Sequence, residues 1–281
     1  MHQFRYLVGL FTVFFSLTVS ANENIISGAW YKLESKILKE ERQFAVYIPP
    51  SYNENNDTKY PVMYVLDGDV TRFRTITGLV EALSTNNLGR QIPEFIIVAI
   101  PNTDRNRDLT PTAVNFTFKG QLLDELDTSG GASKFASFLE RELIPHMNRT
   151  YRTNDTRLLL GESFGGLFAA HSLLLNPLLF TEYLITDATY VWDNNYLNRI
   201  LKESIAAKLQ IKANVYLSLA NNEHLGEIGK TNYQWGKEFA EHLKTLSADS
   251  LDVRSQYFED ETHGTVAMLS WYHGLLYLYK S

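Results

Sequence analysis

Cysteine is absent from this 281-residue chain. No disulfide, thiol nucleophile or cysteine-linked lipid is therefore available to it. Excess positive charge is absent too: 26 Lys and Arg stand against 32 Asp and Glu, a formal net charge of −6. That balance argues against a general nucleic-acid surface and against an anionic-membrane surface. There is no H-E-x-x-H pair or other paired His/Asp spacing on one helix to seat a metal, and no G-x-x-x-x-G-K-[ST] loop to cradle a phosphate. No metal and no cofactor are expected. Internal repeats and low-complexity linkers are also lacking.

What is there begins with a leader. Arg5 supplies a positive start, Tyr6 through Leu17 an apolar run, and Val19-Ser20-Ala21 a small-residue cleavage site. The run is short for a membrane span and no basic stop-transfer flank follows it. Residues 1–21 are expected to be a signal peptide and residues 22–281 one α/β domain. The location implied is periplasmic or secreted, with no stable membrane anchor after cleavage; the oligomeric state is left open.

Strand-like apolar runs recur along the mature chain at 44–48, 62–66, 95–100, 156–160, 182–186, 215–219 and 255–258. Helical stretches fit between them, near 70–86, 132–147, 164–175, 194–209, 230–247 and 265–279. Near-continuous apolar strands are those covered on both faces. Their alternation with helices predicts a mostly parallel central sheet with helices on both faces. In such sheets ligand sites lie at the carboxyl ends of the strands. The stretch 102–132 is poorly periodic and rich in Thr, Asp, Asn, Gly and Arg. It is expected to be a functional lid or mobile loop, with Gly130-Gly131 as its hinge.

Gly161-Glu162-Ser163-Phe164-Gly165-Gly166 is the most informative segment. It fits G-x-S-x-G, where a serine occupies a sharp strand-to-helix turn and the glycines relieve crowding. The pattern alone arises often by chance. Its setting is stronger: an apolar strand-like run precedes it, and Leu167 to Leu175 follows as a helix former that Asn176-Pro177 stops.

A serine hydroxyl needs a base to take its proton and a third group to orient that base. The order for this architecture is Ser, acid, His. His263 is the best base, because it follows the strand at 255–258 and an acidic turn, and precedes Gly264 and the last helix. His224 is its rival. His171 reads as a packed helix residue, His146 and His242 as helix-surface residues, and His273 as structural. Glu223, just past the strand at 215–219, is the first choice of acid; Asp187 is the alternative and Asp193 a third. The backbone N–H of Phe164 and one from Gly68 or Asp69 are the expected oxyanion-hole donors.

With these residues placed, the chain resembles the putative-esterase branch of the α/β-hydrolase superfamily. That branch includes S-formylglutathione hydrolase (esterase D), feruloyl esterases, mycolyltransferases and siderophore esterases. The likeness rests on Tyr60–Gly68, Arg105–Thr112, Phe138–Pro145 and Gly161–Gly166, and covers roughly residues 30–281. It implies the α/β-hydrolase fold, Ser163 as nucleophile, His263 as base and an acid near Glu223. Glu162 stands where many relatives have His or Tyr, and Asp187-Ala188-Thr189 where they often have Ser-Pro-Ser.

The function expected is a serine carboxylesterase acting on a small-molecule ester, with a catecholate trilactone siderophore as one substrate. A feruloyl or acetyl carbohydrate ester and an acyltransferase reaction are alternatives on the same site. A non-catalytic binding protein on a hydrolase scaffold is the alternative of another class. Arg105 and Arg107 are expected to bind an anionic or catecholate group, and Trp192, with Tyr190, to form an aromatic wall.

Overall fold

A computed structural model describes residues 27–54, 57–85, 89–246 and 250–279. The leader expected over residues 1–21 lies outside the described residues. Among the described residues, ten strands are interspersed with helices. The first half holds β1 (Ala29–Ser35), β2 (Glu40–Tyr47), β3 (Tyr60–Val65), α1 (Val70–Ser84), β4 (Ile96–Ala99), α2 (Arg105–Leu109), β5 (Phe116–Phe118) and β6 (Gln121–Asp124). Then come α3 (Ala132–Phe138), α4 (Ile144–Thr150), β7 (Thr153–Glu162), α5 (Phe164–Leu175), β8 (Glu182–Thr186), α6 (Tyr196–Ala206), β9 (Ala213–Ala220), α7 (Glu227–Thr245), β10 (Leu251–Phe258) and α8 (Ala267–Tyr279). A π-helical turn, Leu139–Leu143, joins α3 to α4.

Eight strands form one sheet in the order β1-β2-β4-β3-β7-β8-β9-β10. β1 pairs antiparallel with β2, and β2 with β4; every later pairing is parallel. The interior strands β3, β4 and β8 are buried along their whole length, since helices cover both faces; β3 and β4 are apolar throughout, and in β8 the apolar centre Tyr183–Ile185 is flanked by buried Glu182 and Thr186. The chain moves outward from β3 to β4, then returns to the other side of β3 as β7. That reversal opens a crevice at the carboxyl ends of β3 and β7, where open α/β sheets place their ligands.

The segment 102–132 is more ordered than its composition suggests. It holds the short helix α2 and the hairpin β5–β6. Polar bonds tie it down: Leu126 N–H donates to Asn115 Oδ1 at 3.0 Å, and Ser129 Oγ to the Val114 carbonyl at 2.8 Å. Gly130 and Gly131 are packing positions. A Cβ on Gly130 would come within 2.6 Å of Ala113 N, and one on Gly131 within 2.7 Å of the Arg107 carbonyl. Their glycine identity therefore follows from close backbone approach.

Candidate active site

Ser163 sits between the end of β7 and the first turn of α5, with φ 58° and ψ −119°. Non-glycine residues adopt positive φ only when their surroundings hold them there. The neighbours enforce the turn: a Cβ on Gly161 would lie 2.2 Å from the Gly165 carbonyl oxygen, and one on Gly166 2.9 Å from the Ala188 Cβ. The serine's backbone is fixed from both sides. Its N–H donates to the Thr186 carbonyl at 3.1 Å, and its carbonyl accepts from Thr189 N–H at 3.2 Å. Its hydroxyl lies 3.5 Å from Thr189 Oγ1.

The N–H groups that open a helix have no intrahelical acceptor, so Phe164 N–H at the head of α5 is available beside Ser163. The second donor expected in the loop after β3 is narrowed. Gly68 N–H is already bonded to the Ile100 carbonyl at 2.8 Å, which removes it as an oxyanion donor. Asp69 N–H turns back to the Asp67 carbonyl at 2.9 Å across a three-residue turn. Such a turn is a tight local contact, and Asp69 remains the donor candidate of that loop.

His263 lies in the loop between β10 and α8, and its Nδ1 is 2.6 Å from Asp187 Oδ2. The expected acid was Glu223. Glu223 is exposed in the 3₁₀ turn after β9, and among the described residues its carboxylate has no hydrogen-bond or ion-pair partner. Asp187 instead directly follows β8, the strand beside the one that leads into Ser163, at φ 37°. It is fully buried. Its other oxygen accepts Ala220 N–H at 3.1 Å, and Asn222 Nδ2 donates to Oδ2 at 2.8 Å. The hydrogen bond to Asp187 raises the His263 pKa above the ordinary imidazole value against the opposing effect of burial; Glu162 adds to the rise and Arg105 subtracts from it. Asp193 points elsewhere, paired with Arg199 at 3.0 Å. His224 is exposed in the turn with Glu223.

Ser163, His263 and Asp187 line one cavity of about 230 Å³, together with apolar side chains of Phe116, Phe164 and Ile228. Trp192 is not on its surface. It is fully buried, with Nε1–H donated to Thr112 Oγ1 at 2.8 Å. It stacks on Phe116 at a centroid distance of 6.0 Å and meets Phe164 edge-on at 5.3 Å. Trp192 therefore backs the aromatic wall, which Phe116 and Phe164 form. Tyr190 is likewise buried in the core.

The two arginines separate. Arg105 grips Asp67 with Nε at 2.7 Å and a second nitrogen at 3.0 Å, and its guanidinium lies 5.1 Å from the centre of the Phe164 ring. It lies behind Phe164, which lines the cavity, with its charge already partnered. Arg107 is spent elsewhere: it forks onto Glu40 at 2.6 and 3.0 Å and reaches Asp108 at 2.7 Å. The fully buried Arg42 completes this cluster, bonded to Glu40 at 2.9 Å and Asp108 at 2.6 Å. Arg107 is thus a brace for α2, not a ligand group. Thr189 and Asn222 were missed in the sequence; a polar residue two or three positions past a buried strand is the signal that marks them.

A sequence model of the family described as "Putative esterase" matches residues 35–256. Ferri-bacillibactin esterase BesA of Bacillus subtilis is 25% identical over 239 residues, 82% of each chain. Among solved structures, an IroE-like serine hydrolase from Shewanella oneidensis superposes with a TM-score of 0.80 at 32% identity, covering 90% of this chain and 80% of that one. The BES protein of Bacillus cereus does so with a TM-score of 0.78 at 25% identity, covering 93% and 100%. The chain belongs to this esterase family of α/β hydrolases and is a hydrolase of ester bonds.

Proposed function

We propose that the protein is a periplasmic or secreted serine esterase whose triad is Ser163, His263 and Asp187, and that its substrate is a siderophore ester. One observation carries the triad: the 2.6 Å contact between His263 Nδ1 and a buried carboxylate, in a cavity that Ser163 also lines. Asp187 holds the imidazole with its proton on Nδ1, which leaves Nε2 free to accept. His263 takes the proton of Ser163 as Oγ attacks the ester carbonyl. The carbonyl oxygen gains charge beside Phe164 N–H at the positive end of α5, with Asp69 N–H as second donor. His263 then gives its proton to the leaving alcohol, and water repeats the sequence on the acyl-serine to release the acid.

The substrate class is supported by the names of the relatives, a ferri-bacillibactin esterase and a siderophore enterobactin esterase of Emericella nidulans, the latter 27% identical over 167 residues. A flat acyl or aryl ring suits the apolar walls of Phe116 and Phe164. Placement outside the cytoplasm rests on the leader sequence over residues 1–21. Among the described residues no helix is long and apolar enough to cross a membrane.

The test is a panel of a short-chain nitrophenyl ester, a feruloyl ester and a catecholate trilactone, run on the mature protein and on Ser163→Ala. The trilactone should be cleaved with the highest kcat/KM, and the variant should lose all three activities while keeping its fold. Preference for the feruloyl ester would move the assignment to a carbohydrate esterase. Undiminished turnover by Ser163→Ala would remove the serine mechanism altogether.

A further inference from the structure

We infer that Asn222 is a positioning residue of this active site, the amide that locks the acid and the base into one unit. The inference rests on the serine-esterase reading above. Asn222 lies two residues past β9 and is buried. Its Nδ2 donates to Asp187 Oδ2 at 2.8 Å, and its Oδ1 accepts the backbone N–H of His263 at 2.8 Å. One side-chain amide therefore spans the carboxylate and the loop that carries the imidazole. The chemistry of its partners fixes its orientation: a carboxylate requires a donor and a backbone N–H an acceptor, so the flipped amide would mismatch at both ends.

Two consequences follow for His263. Its main chain is tethered, so the imidazole cannot drift from the Ser163 side of the cavity. Its partner oxygen is also shared, because Asp187 Oδ2 accepts both His263 Nδ1–H and Asn222 Nδ2–H. A shared acceptor is less available to each donor, so Asn222 moderates how strongly Asp187 favours the imidazolium. The other charges that act on the ring come from different elements. Glu162 at the end of β7 raises its pKa, and Arg105 in α2 lowers it. Glu162 is itself paired with Arg72 at 2.6 Å. Asn222 acts on the Nδ1 side of the ring, through the Asp187 carboxylate and the His263 main chain.

Two variants separate positioning from packing. Asn222→Asp keeps the volume and the acceptor for His263 N–H, but sets a second carboxylate against Asp187. Two carboxylates this close do not ionise together freely, so the introduced group, Asp187 and His263 titrate as one coupled unit, and the acid limb of the kcat profile should broaden with its upper edge moved up by about one pH unit. Asn222→Ala removes both bonds; kcat should fall about 10- to 100-fold with KM within about twofold, as expected for a reacting group displaced by a fraction of an ångström. Its acid limb should also move up, by less.

Both are assayed on a short-chain nitrophenyl ester, with thermal unfolding alongside. If Asn222→Ala does not fold, the isosteric Asn222→Asp still reads the effect. Variants that lose only thermal stability, with kcat and acid limb as in the parent, overturn the inference. Fluorophosphonate labelling of the parent at Ser163 distinguishes this failure from that of the esterase reading: an unlabelled parent sinks the latter, whereas a labelled parent with unaltered Asn222 variants sinks only the positioning role.

Discussion

Replacing Asp187 by Asn would change one atom and reverse the logic of the site. The carboxylate now takes three donors: Ala220 N–H at 3.1 Å, Asn222 Nδ2 at 2.8 Å and His263 Nδ1 at 2.6 Å. The amide introduced by Asp187→Asn would keep its oxygen toward Ala220 N–H and turn its NH₂ toward the other two. That NH₂ would then face the NH₂ of Asn222, donor against donor, in a fully buried place. Leaving such a group unsatisfied costs about 1–3 kcal/mol, and a drop of several degrees in Tm is expected. The same NH₂ would donate to His263 Nδ1, forcing the ring proton onto Nε2, the nitrogen that must accept from Ser163. A wrong tautomer of this kind costs about 10⁴ in kcat, or roughly 5 kcal/mol of barrier at about 1.4 kcal/mol per decade. Glu223→Gln is the control, since that side chain is exposed and, among the described residues, unpartnered, and should stay within about twofold. The assay is kcat for a short-chain nitrophenyl ester across pH. An Asp187→Asn enzyme within tenfold of the parent, or a larger loss from Glu223→Gln, would return the acid's role to the loop after β9.

Other perturbations read neighbouring contacts. His263 acts as a base only when neutral, and its pKa is raised by Asp187, so activity should fall as pH drops through a point above about 6.5; an acid limb at or below that value would contradict the contact. The same shift makes the folded state hold this proton more tightly than the unfolded chain. The pair's contribution to stability is therefore full below about pH 6.5 and lost as pH rises through the folded-state pKa, which unfolding curves at several pH values should register. Arg105→Gln removes the cation that lowers the His263 pKa and leaves Asp67 with Asn102 as its remaining partner, at 2.5 Å. Its acid limb should move upward, and a downward move would refute the placement of that charge. Trp192→Phe loses the bond to Thr112 and the backing of Phe116 and Phe164. It should cost about 1–3 kcal/mol in unfolding assays and raise KM for aryl esters more than it lowers kcat.

The parts of this molecule that were legible in the sequence are those set by local pattern. Unbroken apolar runs such as Val62–Val65 and Ile96–Ala99 become interior strands because burial on both faces demands that composition. The Gly161–Gly166 turn is legible because close packing there tolerates little else. β1 was not anticipated, since an exposed edge strand has no burial to mark it. The proposed acid is Asp187 where the sequence favoured Glu223, for a different reason. Glu223 and Asp187 both follow strands, and the choice depends on which strand neighbours β7 and which side chain turns inward. The sheet order answers the first, and the left-handed backbone of Asp187, bonded through its N–H to the Ser218 carbonyl, answers the second. Arg107 was misread because its partner Glu40 lies far away in sequence, on β2.

The position of the carboxylate at the end of β8 also bears on how this enzyme can change. In the proposed triad the acid and the nucleophile follow adjacent strands, and the loop between β9 and α7 supplies no reacting group. Its first residues are tethered through Asn222, but Leu225 beyond them, and Ile228 in the first turn of α7, line the cavity. Leu225 is half exposed, and Gly226 follows with φ 69° and open space around it. Insertions and substitutions in this segment can reshape that side of the cavity while leaving the Asp187–His263 contact in place. Selection for a new ester has a place to act there, separate from the machinery that breaks the bond.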